Sequence, residues 1–161
     1  MVVDNQTYID VLKESLGKKV IVLDKLLEKT FLQEHIISTS PFNNEEFDQA
    51  YEDKEAILIQ LGELDEGFEH IYDHVKDILR TNKLEHKNDI IQLQNMIRQI
   101  TDKSTELQAI EIKNKKKLDV IFAKGKKEIK DYKISSQTAS SYYKNMADQH
   151  QGQSYFYDKK K

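Results

Sequence analysis

Apolar residues recur every three or four positions through almost the whole of this 161-residue chain. That spacing places them on one face of an α-helix, and only one proline and five glycines are available to interrupt it. So few turn-forming residues exclude sandwiches, barrels and repeated βαβ units. The pattern predicts an all-α fold, an elongated antiparallel three-helix bundle or coiled coil with a long, overhanging third helix.

Two breaks in the pattern divide the chain into three helices. The first helix covers about residues 6–37, starts at a cap formed by Asn5 or Thr7, and fades before Pro41. The second covers about 44–80, and Asn43 with Glu46 forms its capping box.

A tight turn is expected near 80–84, where Asn82 and Glu85 could form another capping box. The third helix then covers about 83–146, so that residues 1–146 form a single domain. Residues 147–161 are polar and contain glycine, which predicts a disordered C-terminal tail.

Composition limits the chemistry and the location of the chain. It has no cysteine, which excludes disulfides, thiolate metal sites and cysteine nucleophiles. Charged residues make up 33% and apolar residues 38% of the chain, a balance that suits thin helices burying a narrow seam. No apolar run is long enough to span a bilayer, and the N-terminus does not resemble a secretory signal. These features predict a cytoplasmic protein without membrane insertion.

The second helix keeps a seven-residue repeat whose buried row is interrupted by polar residues. Phe47, Leu61, Phe68 and Val75 belong to this row, but Lys54 also falls in it, and Asp65 falls in the row beside it. A buried polar residue can fix the register of packed helices at a cost in stability. We favour the simpler interpretation, that both polar residues lie at the edge of the seam.

A mismatch in length is the main functional clue. At 1.5 Å per residue, the three predicted helices are about 48, 55 and 95 Å long, so residues 119–146 extend about 40 Å beyond their neighbours. An apolar stripe continues along this extension and predicts a surface that binds another protein. Its members are Ile121, Phe122, Ile129, Tyr132, Ala139, Tyr143 and Met146. Alternatively, the third helix bends, or the extension folds back to complete a four-helix bundle.

Charge is distributed unevenly along the chain. Residues 1–82 carry eight basic and 18 acidic residues, whereas residues 113–133 carry nine lysines and three acidic residues. Clustered lysines can bind nucleic acid, but this block lacks arginine and the whole chain carries a net charge of −3. We therefore predict no nucleic-acid partner. Instead, the lysines would steer an acidic protein toward the stripe; they are Lys124, Lys126, Lys127 and Lys130.

Candidate catalytic and metal sites are weak. His70 and His74 share a helix face at a spacing that zinc can use, but the metalloprotease glutamate and a third ligand are missing. Acidic pairs near the start of the second helix are explained by the helix dipole. We predict no enzymatic activity, no catalytic residue, no metal and no cofactor.

Several short segments together resemble a known family. They are Tyr8-Ile9-Asp10-Val11-Leu12, the Phe47, Tyr51, Lys54-Glu55 opening of the second helix, Leu64-Asp65-Glu66-Gly67-Phe68, Ile100-Thr101-Asp102-Lys103-Ser104 with Leu107-Gln108-Ala109, Tyr142-Tyr143-Lys144-Asn145-Met146 and Ser154-Tyr155-Phe156-Tyr157-Asp158-Lys159-Lys160. In this combination the chain resembles the FlgN-type flagellar type III export chaperones, in particular clostridial-type members.

The resemblance implies three long antiparallel helices and a role without catalysis. Such chaperones bind the C-terminal helical segments of hook–filament junction (hook-associated) proteins, prevent their premature assembly and deliver them to the flagellar export gate. The last helix takes the substrate protein, and a tyrosine-bearing segment docks on the gate; Tyr132, Tyr142 and Tyr143 are the candidates here. The main alternative is a structural coiled-coil protein that forms a homo-oligomer through its third helix. A less favoured alternative is a nucleic-acid binder that uses the basic block 113–133.

Overall fold

Three helices of nearly equal length make up the structure. The computed structural model describes residues 4–124, the last of them by its backbone alone. The helices are α1 (Asn5–Ser38), α2 (Asn44–Thr81) and α3 (Lys87–Ile121), and a short 3₁₀ turn follows at Phe122–Lys124. The predicted all-α three-helix bundle is confirmed. At 1.5 Å per residue the helices are about 51, 57 and 53 Å long.

Side-chain caps fix where the first two helices begin. The Asp4 carboxylate accepts a hydrogen bond of 2.8 Å from the Thr7 backbone N–H, so Asp4 caps α1 rather than Asn5 or Thr7. For α2, the Asn43 side chain accepts a bond of 3.1 Å from the Glu46 backbone N–H, as the sequence predicts. Both caps satisfy backbone donors that have no partner within their own helix.

The second turn lies slightly later than predicted and has different chemistry. Asn82 donates its backbone N–H to the Ile78 carbonyl, and its own carbonyl accepts from the His86 N–H. These bonds make Asn82 the end of α2, and the predicted capping box with Glu85 does not form. Because the turn occupies residues 82–86, α3 begins at Lys87 instead of residue 83.

The bundle is organised around α1, which packs closely against both α2 and α3, whereas α2 and α3 approach each other much less closely. Tyr8 stacks on His74 near one end of α1, and Lys29 pairs with Asp53 toward the other. The pairing of low with high residue numbers shows that α1 and α2 are antiparallel. Lys113 of α3 pairs with Glu34, near the same end of α1, so α1 and α3 are parallel.

The core is a seam of aliphatic side chains from all three helices. It contains 16 buried residues, among them Leu23 of α1, Leu61 and Phe68 of α2, and Ile97 and Leu107 of α3. Burying a large apolar side chain contributes about 1.5–3 kcal/mol, so this seam is the main source of stability.

The third helix ends earlier than predicted. It stops at Ile121, and Phe122 leaves the α-helical conformation with φ −93° and ψ 14°. The continuous helix predicted over 83–146 is therefore interrupted at residues 122–124, and its remainder lies outside the described residues. Because α3 so bounded matches α1 and α2 in length, the described part of the bundle has no overhang.

Asp89 ties the start of α3 to the start of α1. Its carboxylate accepts hydrogen bonds from Lys13 at 2.7 Å and from Gln6 at 3.4 Å, and the His86 ring lies 3.4 Å away. Burial acts to raise the pKa of Asp89, but these bonds and the Lys13 charge together lower it below its ordinary value.

The first prediction concerns the core. Phe68→Ala should lower the free energy of unfolding by about 3–5 kcal/mol, since it removes a fully buried ring and leaves a cavity. Chemical denaturation measures the change. Ile59→Ala is the matched control on the same helix, because Ile59 is 66% exposed, and it should change the free energy by less than about 0.5 kcal/mol. Equal effects of the two variants would contradict this packing.

The second prediction concerns acid stability. Because the pKa of Asp89 is lowered on folding, its contribution is complete above the pKa of the unfolded chain and is lost as pH falls through the folded-state value. Asp89→Asn should therefore be less stable near neutral pH, and the difference from the natural chain should shrink in acid. Denaturation at a series of pH values measures it. Glu14→Gln, which removes an exposed pair with Lys18, is the control and should show little difference at any pH.

Candidate functional site: the closed end of the bundle

The predicted binding stripe begins at the end of α3. Of its residues, the structure describes Ile121 and Phe122, together with the backbone of Lys124. The remaining predicted residues lie outside the described part of the chain: Ile129, Tyr132, Ala139, Tyr143 and Met146 of the stripe, Lys126, Lys127 and Lys130 of the steering group, and the docking candidates Tyr132, Tyr142 and Tyr143.

Phe122 packs within its own bundle. Its ring meets Phe42 edge to face, with ring centroids 5.1 Å apart, and Phe42 in turn lies 5.6 Å from Phe47. These rings close a small second core that also contains Ile36, Ile37 and Leu118. The interpretation of Phe122 as a free binding residue needs correction, because the α1–α2 connection covers much of the ring.

The two residues before Phe122 are open. Val120 is 77% exposed and Ile121 is 37% exposed, although both are large aliphatic side chains. They stand at the point where α3 stops and the undescribed C-terminal part of the chain begins. These exposed aliphatic side chains form a small apolar surface at the end of the bundle, and another helix could pack on it.

Charges at this end have two signs. Lys113 pairs with Glu34 at 3.3 Å, and Lys117 donates to the Ser38 hydroxyl at 3.4 Å, so both hold α3 against the end of α1. The start of α2 lies at the same end and is acidic. Its exposed carboxylates have no ion-pair partner within residues 4–124: Glu45, Glu46, Asp48 and Glu52.

A buried polar layer crosses the bundle below the phenylalanine cluster. The Lys54 ammonium of α2 donates to the Glu111 carboxylate of α3 and, at 2.7 Å, to the Gln33 amide oxygen of α1. All three side chains are buried. Burial lowers the pKa of Lys54, and the Glu111 carboxylate opposes that shift. The favoured interpretation of Lys54 as an edge residue was wrong, because Glu111 and Gln33 give its charge partners inside the seam.

The same layer contains an incompletely satisfied amide. Asn114 is fully buried, and its side-chain N–H donates to the Thr30 carbonyl at 3.4 Å, a long hydrogen bond. Its side-chain oxygen has no hydrogen-bond partner within residues 4–124. An unpaired buried acceptor lowers the free energy of unfolding by about 1–3 kcal/mol. This layer is therefore better explained by its effect on helix alignment than by a gain in stability.

A second buried lysine lies nearer the other end. The Lys19 ammonium of α1 donates to Asp65 of α2, and only 1% of the lysine is exposed. Burial lowers the pKa of Lys19, while the charges of Asp65 and Glu69 act against that change. Asp65 is only partly exposed, and its position beside the seam follows from this pairing across the α1–α2 contact.

Sequence reasoning missed Lys19, Glu111 and Asn114, although spacing held the signal. Lys19 follows Leu16 by three and precedes Leu23 by four, so it lies on the core face of α1. Glu111 and Asn114 continue the run of Leu107 and Leu118 at helical spacing. Giving weight to position over polarity would have placed all three in the seam.

The two histidines of α2 make ring contacts. The His74 ring stacks on Tyr8 at 4.9 Å, and His70 lies edge to face against His74. No group of three or more His, Asp or Glu side chains in residues 4–124 could hold a metal ion. Likewise, no helix within these residues combines the length and apolar character needed to cross a membrane.

Comparisons of the chain with protein-family models, with curated proteins and with solved structures gave no match. The functional argument therefore rests on the chain's own residues.

The third prediction tests the polar layer. Glu111→Leu should lower the free energy of unfolding by about 3–5 kcal/mol, because it leaves the Lys54 charge buried without its carboxylate. Lys54→Met combined with Glu111→Leu should recover most or all of that loss, since neither charge then remains. Chemical denaturation compares the two.

The matched control is Asp53→Ala, which breaks the half-exposed pair with Lys29 and should cost less than about 1 kcal/mol. A double variant no more stable than Glu111→Leu alone would contradict the pairing of Lys54 with Glu111.

Proposed function

We propose that this chain is a non-catalytic export chaperone of the FlgN type, which captures an amphipathic helix of another protein through residues 121–146. One observation carries the proposal. Three helices of matched length complete their own core and close it at Phe122, so the apolar stripe that continues in the sequence has no place in that core.

The chemistry of capture is the burial of one apolar helix face against another. Ile121 is exposed where the stripe begins, and the sequence continues the stripe with Ile129, Tyr132 and Tyr143 at helical spacing. Each apolar side chain that a partner covers contributes to the binding free energy in proportion to the apolar area removed from water, about 25 cal/mol per Å². A substrate protein that presents its own unpaired seam would fit this surface.

Lysines give the captured helix a preferred charge. Residues 113–133 carry a net charge of +6, formed by nine lysines against Asp119, Glu128 and Asp131. A positive segment attracts an acidic helix over about 10 Å at moderate ionic strength and so raises its association rate. Binding should therefore weaken as salt is added.

The buried polar layer supports a scaffold role for the rest of the chain. Lys54, Gln33 and Glu111 come from three different helices and fit together in only one register. A bundle fixed in this way holds the end of α3, to which the C-terminal segment is attached, in one orientation. This reduces the entropy lost when a partner binds.

The resemblance to FlgN-type chaperones supplies the identity of the partner. On that basis the substrates are the C-terminal helical segments of hook–filament junction proteins, and the destination is the flagellar export gate. Tyr132, Tyr142 and Tyr143 are the docking candidates for the gate. The location implied is the cytoplasm, because the substrates must be bound before export.

The fourth prediction tests capture directly. A labelled peptide from the C-terminal helix of a hook–filament junction protein should bind the full-length chain, as measured by fluorescence anisotropy. Ile129→Asp should weaken this binding by about tenfold or more, equivalent to about 1.4 kcal/mol, because it puts a charge in the stripe.

Ile59→Asp is the matched control, since it makes the same change at an exposed position of α2 and should leave affinity unchanged. Binding that survives Ile129→Asp, or a peptide that does not bind at all, would refute the proposal.

A further inference from the structure

The buried apolar residues of the bundle form two separate clusters. The larger one, which we call the main cluster, contains 16 buried side chains and reaches Leu79 and Leu93 at the end of the bundle where α1 begins. The smaller one lies at the opposite end and contains only four: Ile36, Ile37, Phe47 and Leu118. We refer to these four residues, with Phe42 and Phe122 packed against them, as the end cluster.

Polar side chains separate the two clusters on every helix. The buried residues between the clusters are polar at all positions but one: Thr30 and Gln33 on α1, Ala50 and Lys54 on α2, and Glu111 and Asn114 on α3. Apart from Ala50, no buried apolar side chain among the described residues lies between one cluster and the other. The buried polar layer therefore interrupts the apolar core of the bundle.

This interruption makes it easier to open the end of the bundle at the layer than elsewhere. When the helices separate there, water hydrates the Lys54 ammonium and the Glu111 carboxylate, which are both buried in the closed bundle. Water can also donate to the Asn114 side-chain oxygen, which has no hydrogen-bond partner within residues 4–124. Recovered hydration offsets much of the energy lost when the buried pair separates.

The polar contacts that hold α3 to α1 at this end lie on the surface. Lys113 pairs with Glu34 at 3.3 Å while 59% of the lysine side chain is exposed. Lys117 reaches the Ser38 hydroxyl through an exposed hydrogen bond of 3.4 Å. Exposed pairs of this kind contribute little to stability, so the four buried side chains of the end cluster hold the end closed.

We propose that the end cluster opens and closes as a cooperative unit of its own, with the polar layer as its boundary, while the main cluster stays folded. The unit consists of the last turn of α1, the connection to α2, the first turns of α2 and the last turns of α3. A segment held by few buried apolar contacts opens at a lower free energy than the whole domain. The end of the bundle therefore has an open form of its own, in equilibrium with the closed form.

Opening also changes the apolar surface at the end of α3. Leu118 precedes exposed Ile121 by three residues, so both lie on one helix face. Release of Leu118 from the end cluster would extend the stripe that starts at Ile121 by one turn toward the bundle. This consequence rests on the proposed function, because it makes the open form the one that binds a partner helix more tightly.

Hydrogen exchange of single backbone amides, followed by NMR on the full-length chain at low denaturant concentrations, tests the opening. Leu118 and Leu79 are a matched pair, since each is buried two or three residues before the end of its helix, one in each cluster. After correction for intrinsic rates, the Leu118 amide should exchange about tenfold faster or more. Its dependence on denaturant should equal that of the Ile37 and Ala50 amides, which lie on the other two helices of the unit.

Two outcomes of this measurement would overturn the proposal. One is equal exchange of the Leu118 and Leu79 amides. The other is a dependence on denaturant that differs among Leu118, Ile37 and Ala50, because the three helix ends would then fray independently. The comparison uses the natural chain, so it holds whether or not any variant folds.

A double variant tests the polar layer as the boundary. Lys54→Met with Glu111→Leu fills the layer with apolar side chains and joins the clusters, so the exchange of Leu118 should come within about threefold of that of Leu79. Lys19→Met with Asp65→Leu is the matched control, because this buried pair lies within the main cluster. The control should keep the tenfold difference. A difference that survives the first variant, or that both variants abolish, would refute this boundary.

The junction-protein peptide separates opening from capture. It should bind the Lys54→Met, Glu111→Leu variant about threefold or more weakly than the natural chain, because the open fraction is smaller, and it should bind the control variant equally well. Equal affinity for all three chains would refute the link to capture and leave the opening established by exchange. A peptide that binds none of them would refute the proposed function, and the exchange rates would still test the opening.

Discussion

A buried ion pair between a lysine and a glutamate restricts how the helices of this bundle can be aligned. Lys54 and Glu111 lie on α2 and α3, the two helices that approach each other least closely, and Gln33 completes the layer from α1. Sliding any helix by one turn would separate the charges inside an apolar core. The cost of such an unpaired charge excludes alternative registers that the repetitive aliphatic seam alone would allow.

That register determines what happens at the end of the bundle. With the helices fixed, Leu118 and Phe122 meet Phe42 and Phe47, and α3 stops where its neighbours stop. The described chain therefore ends next to exposed Val120 and Ile121, at the end of the bundle where α2 begins with its acidic first turn. The proposed capture of another protein would begin at this end of the bundle, because the apolar stripe continues there in the sequence.

Sequence periodicity predicted the helices well because each boundary has a local cause. Pro41 and the Asn43 cap act on their immediate neighbours, so the ends of α1 and the start of α2 could be read from adjacent residues. The turn at 82–86 was harder, since Asn82 can serve either as a cap for the next helix or as the end of the previous one. Hydrogen bonds to Ile78 and His86 decided between them. For the candidate site, the sequence predicts a binding stripe with its lysines, but it could not show that Phe122 has a partner in Phe42.

By itself, the sequence determined the helical class, the number of helices and the apolar face of each, because these depend on spacing within a few residues. Only the tertiary structure decided which polar residues are buried. Lys19, Lys54, Glu111 and Asn114 lie on core faces at helical spacing, yet their burial depends on a partner that is distant in the sequence. The electrostatic energy of a polar pair buried in the seam depends on residues from different helices. It therefore cannot be predicted from the sequence of any one helix.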